Sequence, residues 1–167
     1  MRVFDTPFGR MAVAATAKGL ARVLLPTEAA ALLAQSSLRQ VSGVFPEPRP
    51  CVAAAFAVRA EREILQYLAG RRRKFTVPVD LSAVPPFHAR VLRALAHVPY
   101  GRTVTYSALA ARVGRPHGAR AVGQAMARNP VPLVLPCHRV VACGGGLGGF
   151  GGGVALKRWL LDLEGAG

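Results

Sequence analysis

The stretch Asn129-Pro130-Val131-Pro132-Leu133-Val134-Leu135-Pro136-Cys137-His138-Arg139-Val140-Val141 gathers polar groups around a single cysteine. Three prolines precede Cys137, and each fixes its φ angle and removes a backbone donor, which stiffens the approach. The apolar run 133–135 predicts a buried, strand-like segment that ends at this cysteine. Free cysteine is most often inert packing. Here His138, Arg139 and Asn129 also need buried partners, so the flanks favour a reactive thiol.

The charge of the chain points to a polyanionic partner. Its 167 residues carry 22 lysines and arginines against 8 acidic residues, a formal net charge of +14. Nucleic acid is the partner that such an excess favours, although a basic protein without one remains the alternative. A hydrophobic content of 51% excludes a disordered chain, and the length favours one domain or two small ones.

The cysteines indicate a reducing compartment and no metal site. Cys51, Cys137 and Cys143 are an odd, sparse set that does not suit a disulfide framework. Their spacing does not match zinc-ligand pairs, so we expect no metal site. The N-terminus lacks the pattern of a signal peptide, and no apolar run approaches the ~20 residues of a membrane span. We therefore expect a cytoplasmic protein without membrane contact.

The first half of the chain predicts a small antiparallel sheet with one long helix. Strands are expected at 2–5, 11–15 and 20–25, with a turn at 6–9. A short helix is expected within 29–33, an extended connection at Pro46, Pro48 and Pro50, and a helix over 52–69 that ends before Gly70. Alternation at Phe75, Val77 and Val79 predicts a further strand over 75–81. Val84-Pro85-Pro86 marks a domain boundary.

The second half predicts helices, and the fold class is therefore α+β. Apolar spacing indicates helices over 87–97, 107–113 and 117–128, and a closing helix over 154–164. Thr105 is suited to cap the second of these, and Gly114-Arg115-Pro116 separates it from the third. Helix, short turn and helix make a helix-turn-helix pattern, which many packed helix pairs share and which the charge of the chain strengthens.

The second helix of this pattern has small residues where a DNA reader usually has long ones. Gly118, Ala119 and Gly123 suit close approach to a narrow surface such as the minor groove, where an inserted side chain unstacks a base. Arg120 is the long side chain suited to that insertion. A phosphate contact or an ordinary surface arginine are the alternative interpretations. Glu164 ends the last helix, where the helix dipole disfavours a carboxylate, so we expect a specific partner, with His138 as the candidate.

Several motifs resemble the O6-alkylguanine-DNA alkyltransferases, or methylated-DNA–protein-cysteine methyltransferases. Residues 136–140 resemble the active-site signature of that family, and residues 100–106, 119–123, 129–132 and 157–165 follow its motifs in order and spacing. The resemblance implies a ribonuclease H-like α/β domain at 1–83 and a DNA-binding alkyltransferase domain at 84–167. It also implies DNA repair by direct reversal, in which Cys137 irreversibly accepts an alkyl group from O6 of guanine.

The resemblance further implies how the reaction proceeds. The damaged base is flipped from double-stranded DNA through the minor groove, and each molecule acts once, without a cofactor. O4 of alkylated thymine is a further candidate substrate. We expect a monomer that is nucleoid-associated when bound, and cooperative binding along DNA is left open.

The family's site residues carry over onto matching positions of this chain. Cys137, water, His138 and Glu164 form a proton relay, Tyr106 donates a proton to the leaving guanine, and Asn129 braces the turn before the cysteine. The implied DNA-binding residues are Arg120, Ala119, Ala121, Gly123 and Thr105. The implied base pocket comprises Tyr106, Met126, Val140, Phe150 and Gly151. Phe150 and Gly151 replace a common tyrosine and serine, which puts the tolerance for bulky alkyl groups in question.

Two other classes of protein remain as alternatives. One is a non-catalytic helix-turn-helix or lesion-binding protein in which Cys137 is inert. The other is a cysteine hydrolase using Cys137 and His138, although the cysteine and histidine of proteases lie far apart in sequence.

Overall fold

A computed structural model describes residues 1–35 and 51–166 of the chain. The predicted extended connection through Pro46, Pro48 and Pro50 lies outside these residues. The described part is an α+β structure with a three-stranded antiparallel sheet in the first half and mainly helices in the second, which confirms the predicted fold class. Within the described residues, no helix is long and apolar enough to cross a membrane.

The sheet consists of three consecutive strands, β1 (Arg2–Thr6), β2 (Gly9–Thr16) and β3 (Gly19–Leu24). β2 lies in the centre, antiparallel to both neighbours, with an irregularity in its pairing to β3 between Ala14 and Ala15. Alternation places Phe4, Met11 and Val13 in the core. Helix α1 (Pro26–Gln35) follows, and α2 (Val52–Leu68) packs on the sheet.

The predicted strand over 75–81 is wrong. Only an isolated bridge between Leu20 and Val79 forms there, through bonds from Leu20 N to Pro78 O and from Asp80 N to Leu20 O, each 2.8 Å. The backbone N–H groups of Thr76 and Val77 instead donate to the carboxylate of Glu63, at 2.8 and 3.2 Å. A buried carboxylate needs hydrogen-bond donors, and these two N–H groups supply them. Pro78 has no backbone N–H with which to pair in a sheet. The segment therefore does not form a strand.

The helical half begins with α3 (Pro86–Leu95), followed by β4 (Val104–Thr105), α4 (Tyr106–Arg112) and α5 (Ala119–Ala127). The Thr105 hydroxyl accepts from Ala108 N at 3.1 Å, as predicted for a helix cap. Gly114 takes a φ of +74° between α4 and α5, a conformation that favours glycine. The chain therefore forms the predicted pair of helices around a tight turn.

The approach to Cys137 is a set of turns and not the predicted strand-like segment. Leu133 has a φ of +71°, and Cys137 begins a 3-10 helix that ends at Arg139. The prolines have no backbone N–H to donate to a neighbouring strand. The Asn129 side chain instead bridges the turn, donating to Leu135 O at 2.8 Å and accepting from Val131 N at 3.0 Å. β5 (Val140–Val141) then runs parallel to β4.

The two halves share one hydrophobic core. It contains Val13 and Ile64 from the first half, together with Leu92, Val122 and Leu160 from the second. Val23 N also donates to Pro130 O at 2.8 Å, which ties β3 to the turn before Cys137. The last helix, α6 (Val154–Glu164), ends at Gly165 with a φ of +69°. The sheet side of the molecule therefore reaches the segment that carries the cysteine.

Candidate active site

Cys137 lines a cavity of about 450 Å³. The thiol is 7% exposed, so it is nearly buried but borders the cavity. The rest of the lining comes from α4, α5 and the glycine-rich segment 144–153, in the order Tyr106, Gly123, Met126, Ala127, Gly149, Phe150 and Gly151. A flat or compact group that entered this cavity would meet the sulfur directly.

Behind Cys137, three buried side chains from separate elements meet. Glu164 Oε1 lies 3.0 Å from His138 Nε2 and accepts from the hydroxyl of Tyr67 at 2.6 Å. The Tyr67 oxygen is also 3.2 Å from His138 Nε2. These groups come from α6, the 3-10 helix and α2, and both rings are fully buried. The predicted pairing of His138 with Glu164 is therefore present.

These contacts fix the tautomer of the His138 imidazole. Because Nε2 faces a carboxylate, it carries the proton. Nδ1 is buried and has no hydrogen-bond partner among the residues that the structure describes. Burial lowers the pKa of His138, against the hydrogen bond that Nε2 donates to Glu164, which raises it. The result is a neutral histidine with a free lone pair on Nδ1, which is the requirement for a base.

Glu164 is neutralised by a buried guanidinium. Arg139 donates through Nε to Oε2 at 2.9 Å and through Nη2 to Oε1 at 2.8 Å, while its Nη1 binds Val98 O. Gly101 N adds a fifth donor, to Oε2 at 3.1 Å. Burial alone would raise the pKa of Glu164, but the bonds from His138, Arg139 and Tyr67 outweigh it and hold the pKa well below its usual range.

Lys157 is a second buried cation near the thiol. Its ammonium donates to the carbonyls of Val140, Leu147 and Gly149, so all three of its N–H groups are used. It therefore ties the glycine-rich segment to the strand after Cys137. Burial raises the pKa of Cys137, against the Asn129 side chain and the charge of Lys157, which lower it. The resting thiol thus keeps its proton until a base removes it.

Two family models match the chain. One, described as the ribonuclease-like domain of 6-O-methylguanine DNA methyltransferase, matches residues 1–81, and the other, the DNA binding domain of the same protein, matches residues 86–166. The chain belongs to the 6-O-methylguanine DNA methyltransferase family.

Known members of this family align with most of the fold. A crystal structure of Mycobacterium tuberculosis OGT in complex with DNA is 34% identical with a TM-score of 0.76, covering 99% of this chain and 92% of that one. The inducible methylated-DNA–protein-cysteine methyltransferase of Bacillus subtilis is 47% identical over 102 residues, 61% of this chain and 56% of that protein. The Methanosarcina acetivorans methyltransferase is 40% identical over 111 residues, 66% of this chain and 70% of that one. The match thus spans little more than half of the Bacillus subtilis relative.

The structure brings together most of the base-pocket residues carried over from the family. Tyr106, Met126, Phe150 and Gly151 line the cavity. Val140 lies outside the lining, and one lone pair of its carbonyl is taken by Lys157 at 2.6 Å. A side chain on Gly148, which has a φ of +68°, would stand 2.9 Å from the Tyr106 hydroxyl, so glycine is needed for the tyrosine to reach this position.

The DNA-binding residues carried over from the family lie along the α4–α5 pair. Arg120 is exposed on the first turn of α5, and Gly123, one turn later on the same face, lines the cavity. Ala119 and Ala121 are half-buried beside it, and Thr105 caps α4. Asn129 borders a different cavity, bridges the backbone of the turn before Cys137 and acts on the thiol through its side chain. The predicted roles of these residues stay predictions.

Sequence reasoning missed Tyr67, Lys157 and the ion pair of Arg139 with Glu164. Each is a polar side chain on an otherwise apolar helix face or loop, a pattern that does signal a buried, paired group. The signal does not identify the partner, because Tyr67 and Glu164 lie 97 residues apart.

Proposed function

We propose that this protein repairs alkylated DNA by moving an alkyl group from O6 of guanine to Cys137. The observation that carries this proposal is a nearly buried cysteine that lines a cavity, followed by a histidine whose Nε2 faces a carboxylate and whose buried Nδ1 has no partner among the described residues. This arrangement supplies a nucleophile and a base. Relatives named methylated-DNA–protein-cysteine methyltransferase support the same reaction.

The reaction balances without a cofactor. The proton of Cys137 passes to His138 Nδ1, through a bridging water, and Glu164 stabilises the imidazolium. The sulfur attacks the alkyl carbon, an S–C bond forms, and the bond from that carbon to O6 breaks. Tyr106, whose pKa is raised by burial, is protonated and donates its proton to the departing guanine anion; the tyrosinate then takes a proton from solvent, to which the His138 imidazolium loses one. The thioether has no hydrolytic route back, so each molecule acts once.

Access to the thiol requires the base to leave the double helix. A thiol beneath a cavity cannot reach an atom inside stacked DNA, and an extruded nucleotide solves this problem. Arg120 is exposed one turn from the cavity-lining Gly123. We propose that it fills the gap that the nucleotide leaves, with the small residues of α5 against the minor groove. Alkylated O4 of thymine presents the same displacement chemistry and is the second substrate we propose. We also propose that the protein binds DNA as a monomer.

The test is the mass of the Cys137 peptide after mixing with duplex DNA that contains O6-methylguanine. We expect a gain of one methyl group on that peptide, in at most stoichiometric yield. Cys137→Ala should abolish the transfer, whereas Cys143→Ala, which removes an exposed thiol, should leave it intact.

Two results would contradict the proposal. An unchanged mass with intact DNA binding would indicate a lesion-binding protein in which the cysteine is inert. Multiple turnover on an acyl substrate would indicate a hydrolase.

A further inference from the structure

Tyr67 brings a buried hydroxyl from the sheet half of the molecule into the proposed proton relay. It lies near the end of α2, and its ring is fully buried. Its hydroxyl donates to Glu164 Oε1 at 2.6 Å, the shortest of the five hydrogen bonds to that carboxylate among the described residues. Burial, together with the charge of Glu164, raises the pKa of Tyr67, so the hydroxyl keeps the proton that it donates.

The hydroxyl acts on His138 through the carboxylate. The hydroxyl donates its proton to Oε1 at 2.6 Å, while its oxygen lies 3.2 Å from the protonated His138 Nε2. A donor at Oε1 withdraws negative charge from the atom that also holds His138 Nε2, which weakens the stabilisation of an imidazolium. Tyr67 therefore makes the histidine less basic while fixing the position of its partner.

Charged and titratable groups face His138 from three elements. Glu164 and Lys157 face it from α6, Arg139 and Cys137 adjoin it in the 3-10 helix, and Tyr67 faces it from α2. Arg139 and Lys157 lower the pKa of His138 and Glu164 raises it. Tyr67 is the only one of these groups that bonds to Glu164 from outside the second half of the chain.

We propose that Tyr67 is a positioning residue that keeps His138 neutral at rest by sharing the charge of Glu164. The inference rests on the proposed function, because it assigns a task to the base of that reaction. It also gives the sheet half of the molecule a part in the chemistry, since α2 packs against the sheet and carries the hydroxyl. A neutral His138 is required because an imidazolium cannot accept the thiol proton.

The variant Tyr67→Phe tests this inference with Tyr100→Phe as its matched control. Tyr100 is a neighbouring tyrosine whose ring centroid lies 6.3 Å from that of Tyr67, and its hydroxyl donates to Leu163 O in α6, outside the relay. We expect the acid limb of the single-turnover transfer rate to move to higher pH by about 0.5 to 1 unit in Tyr67→Phe. Tyr100→Phe should leave it in place.

A titration of the His138 ring nitrogens by NMR reads the same shift without any reaction. The titration midpoint of the ring should rise in Tyr67→Phe and stay unchanged in Tyr100→Phe, with Nε2 protonated in all three proteins. An acid limb and a midpoint that do not move, or that move to lower pH, would overturn the inference. If wild-type protein transfers no alkyl group, the proposed function fails, and the NMR titration still decides on Tyr67.

A fluorinated tyrosine covers the case in which Tyr67→Phe does not fold. Replacement of Tyr67 by 3-fluorotyrosine keeps the ring and makes the hydroxyl a stronger donor, so the acid limb and the midpoint should move to lower pH. A shift to higher pH would overturn the inference.

Discussion

Glu164 is the residue on which most of the buried polar groups of the site depend. It closes α6, at the end of the helix where the dipole disfavours a carboxylate, yet it is 6% exposed and accepts five hydrogen bonds. Arg139, itself 6% exposed, has no other counter-charge among the described residues. The pair therefore has to be kept or removed as a unit.

Glu164→Gln should destabilise the protein strongly because it leaves the Arg139 charge buried without a partner. We expect the free energy of unfolding at pH 7 to fall by about 3–5 kcal/mol in urea titrations. Glu61→Gln, which breaks the solvent-exposed pair with Arg2, should cost about 0–1 kcal/mol. Equal losses of unfolding free energy in the two variants would show that the buried ion pair contributes no more to stability than the pair of Arg2 with Glu61.

At the residue scale, a sequence reveals single groups better than the networks that they form. The dipole argument at Glu164 predicted the contact with His138 correctly, because it uses only the position of one carboxylate in one helix. Tyr67 and Lys157 were missed, since their polar atoms find partners through the packing of separate elements. Their places on apolar helix faces signal buried groups but do not reveal the partners.

At the scale of elements, α5 presents Arg120 next to the cavity, and the role of this arginine can be separated from general DNA binding. If Arg120 has the proposed insertion role, Arg120→Ala should slow the repair of duplex DNA by at least about tenfold, because no side chain then fills the space that the extruded base leaves. Its reaction with free O6-benzylguanine should hardly change. Both rates can be followed by loss of the free Cys137 thiol.

Arg128→Ala is the matched control, since Arg128 is exposed at the other end of α5. It should weaken DNA binding through the loss of charge alone and leave both transfer rates at saturating substrate unchanged. If Arg120→Ala reduced both reactions equally, the insertion role of Arg120 would be wrong.

Elements with a clear apolar period were predictable, and irregular ones were not. Helices α2, α3 and α6 lie within two residues of their predicted bounds because their burial follows the helical repeat. The segment 75–81 alternates like a strand but gives its N–H groups to Glu63, and the segment before Cys137 folds into turns bridged by Asn129. In both places a side chain replaces a neighbouring strand as the hydrogen-bond partner, and alternation does not detect this.

At the scale of the whole molecule, the buried carboxylate of Glu164 joins the two halves in addition to the shared core. Glu164 receives Tyr67 from the first half, and Glu63 in α2 holds the chain at Thr76 and Val77, just before it enters the second half. Arg59 adds a bond to Glu63 at 3.0 Å. Loss of the Glu164 charge should therefore loosen the connection between the halves, and loss of the Glu63 charge should loosen the end of the first half.

These two buried carboxylates should make the folded protein sensitive to acid. Burial would raise the pKa of Glu63, but the bonds from Thr76, Arg59 and Val77 lower it to about 2 from 4.5. Because the folded pKa lies below the unfolded one, the stabilisation is complete above pH 4.5 and is lost as the pH falls towards 2. The pKa of Glu164 is shifted in the same direction.

Glu63→Gln should lower the free energy of unfolding at pH 7 by up to about 3 kcal/mol and flatten its decline between pH 5 and 2. Asp162→Asn, an exposed change on α6, should leave that decline as in the wild type, and an unchanged slope in Glu63→Gln would contradict this role of Glu63.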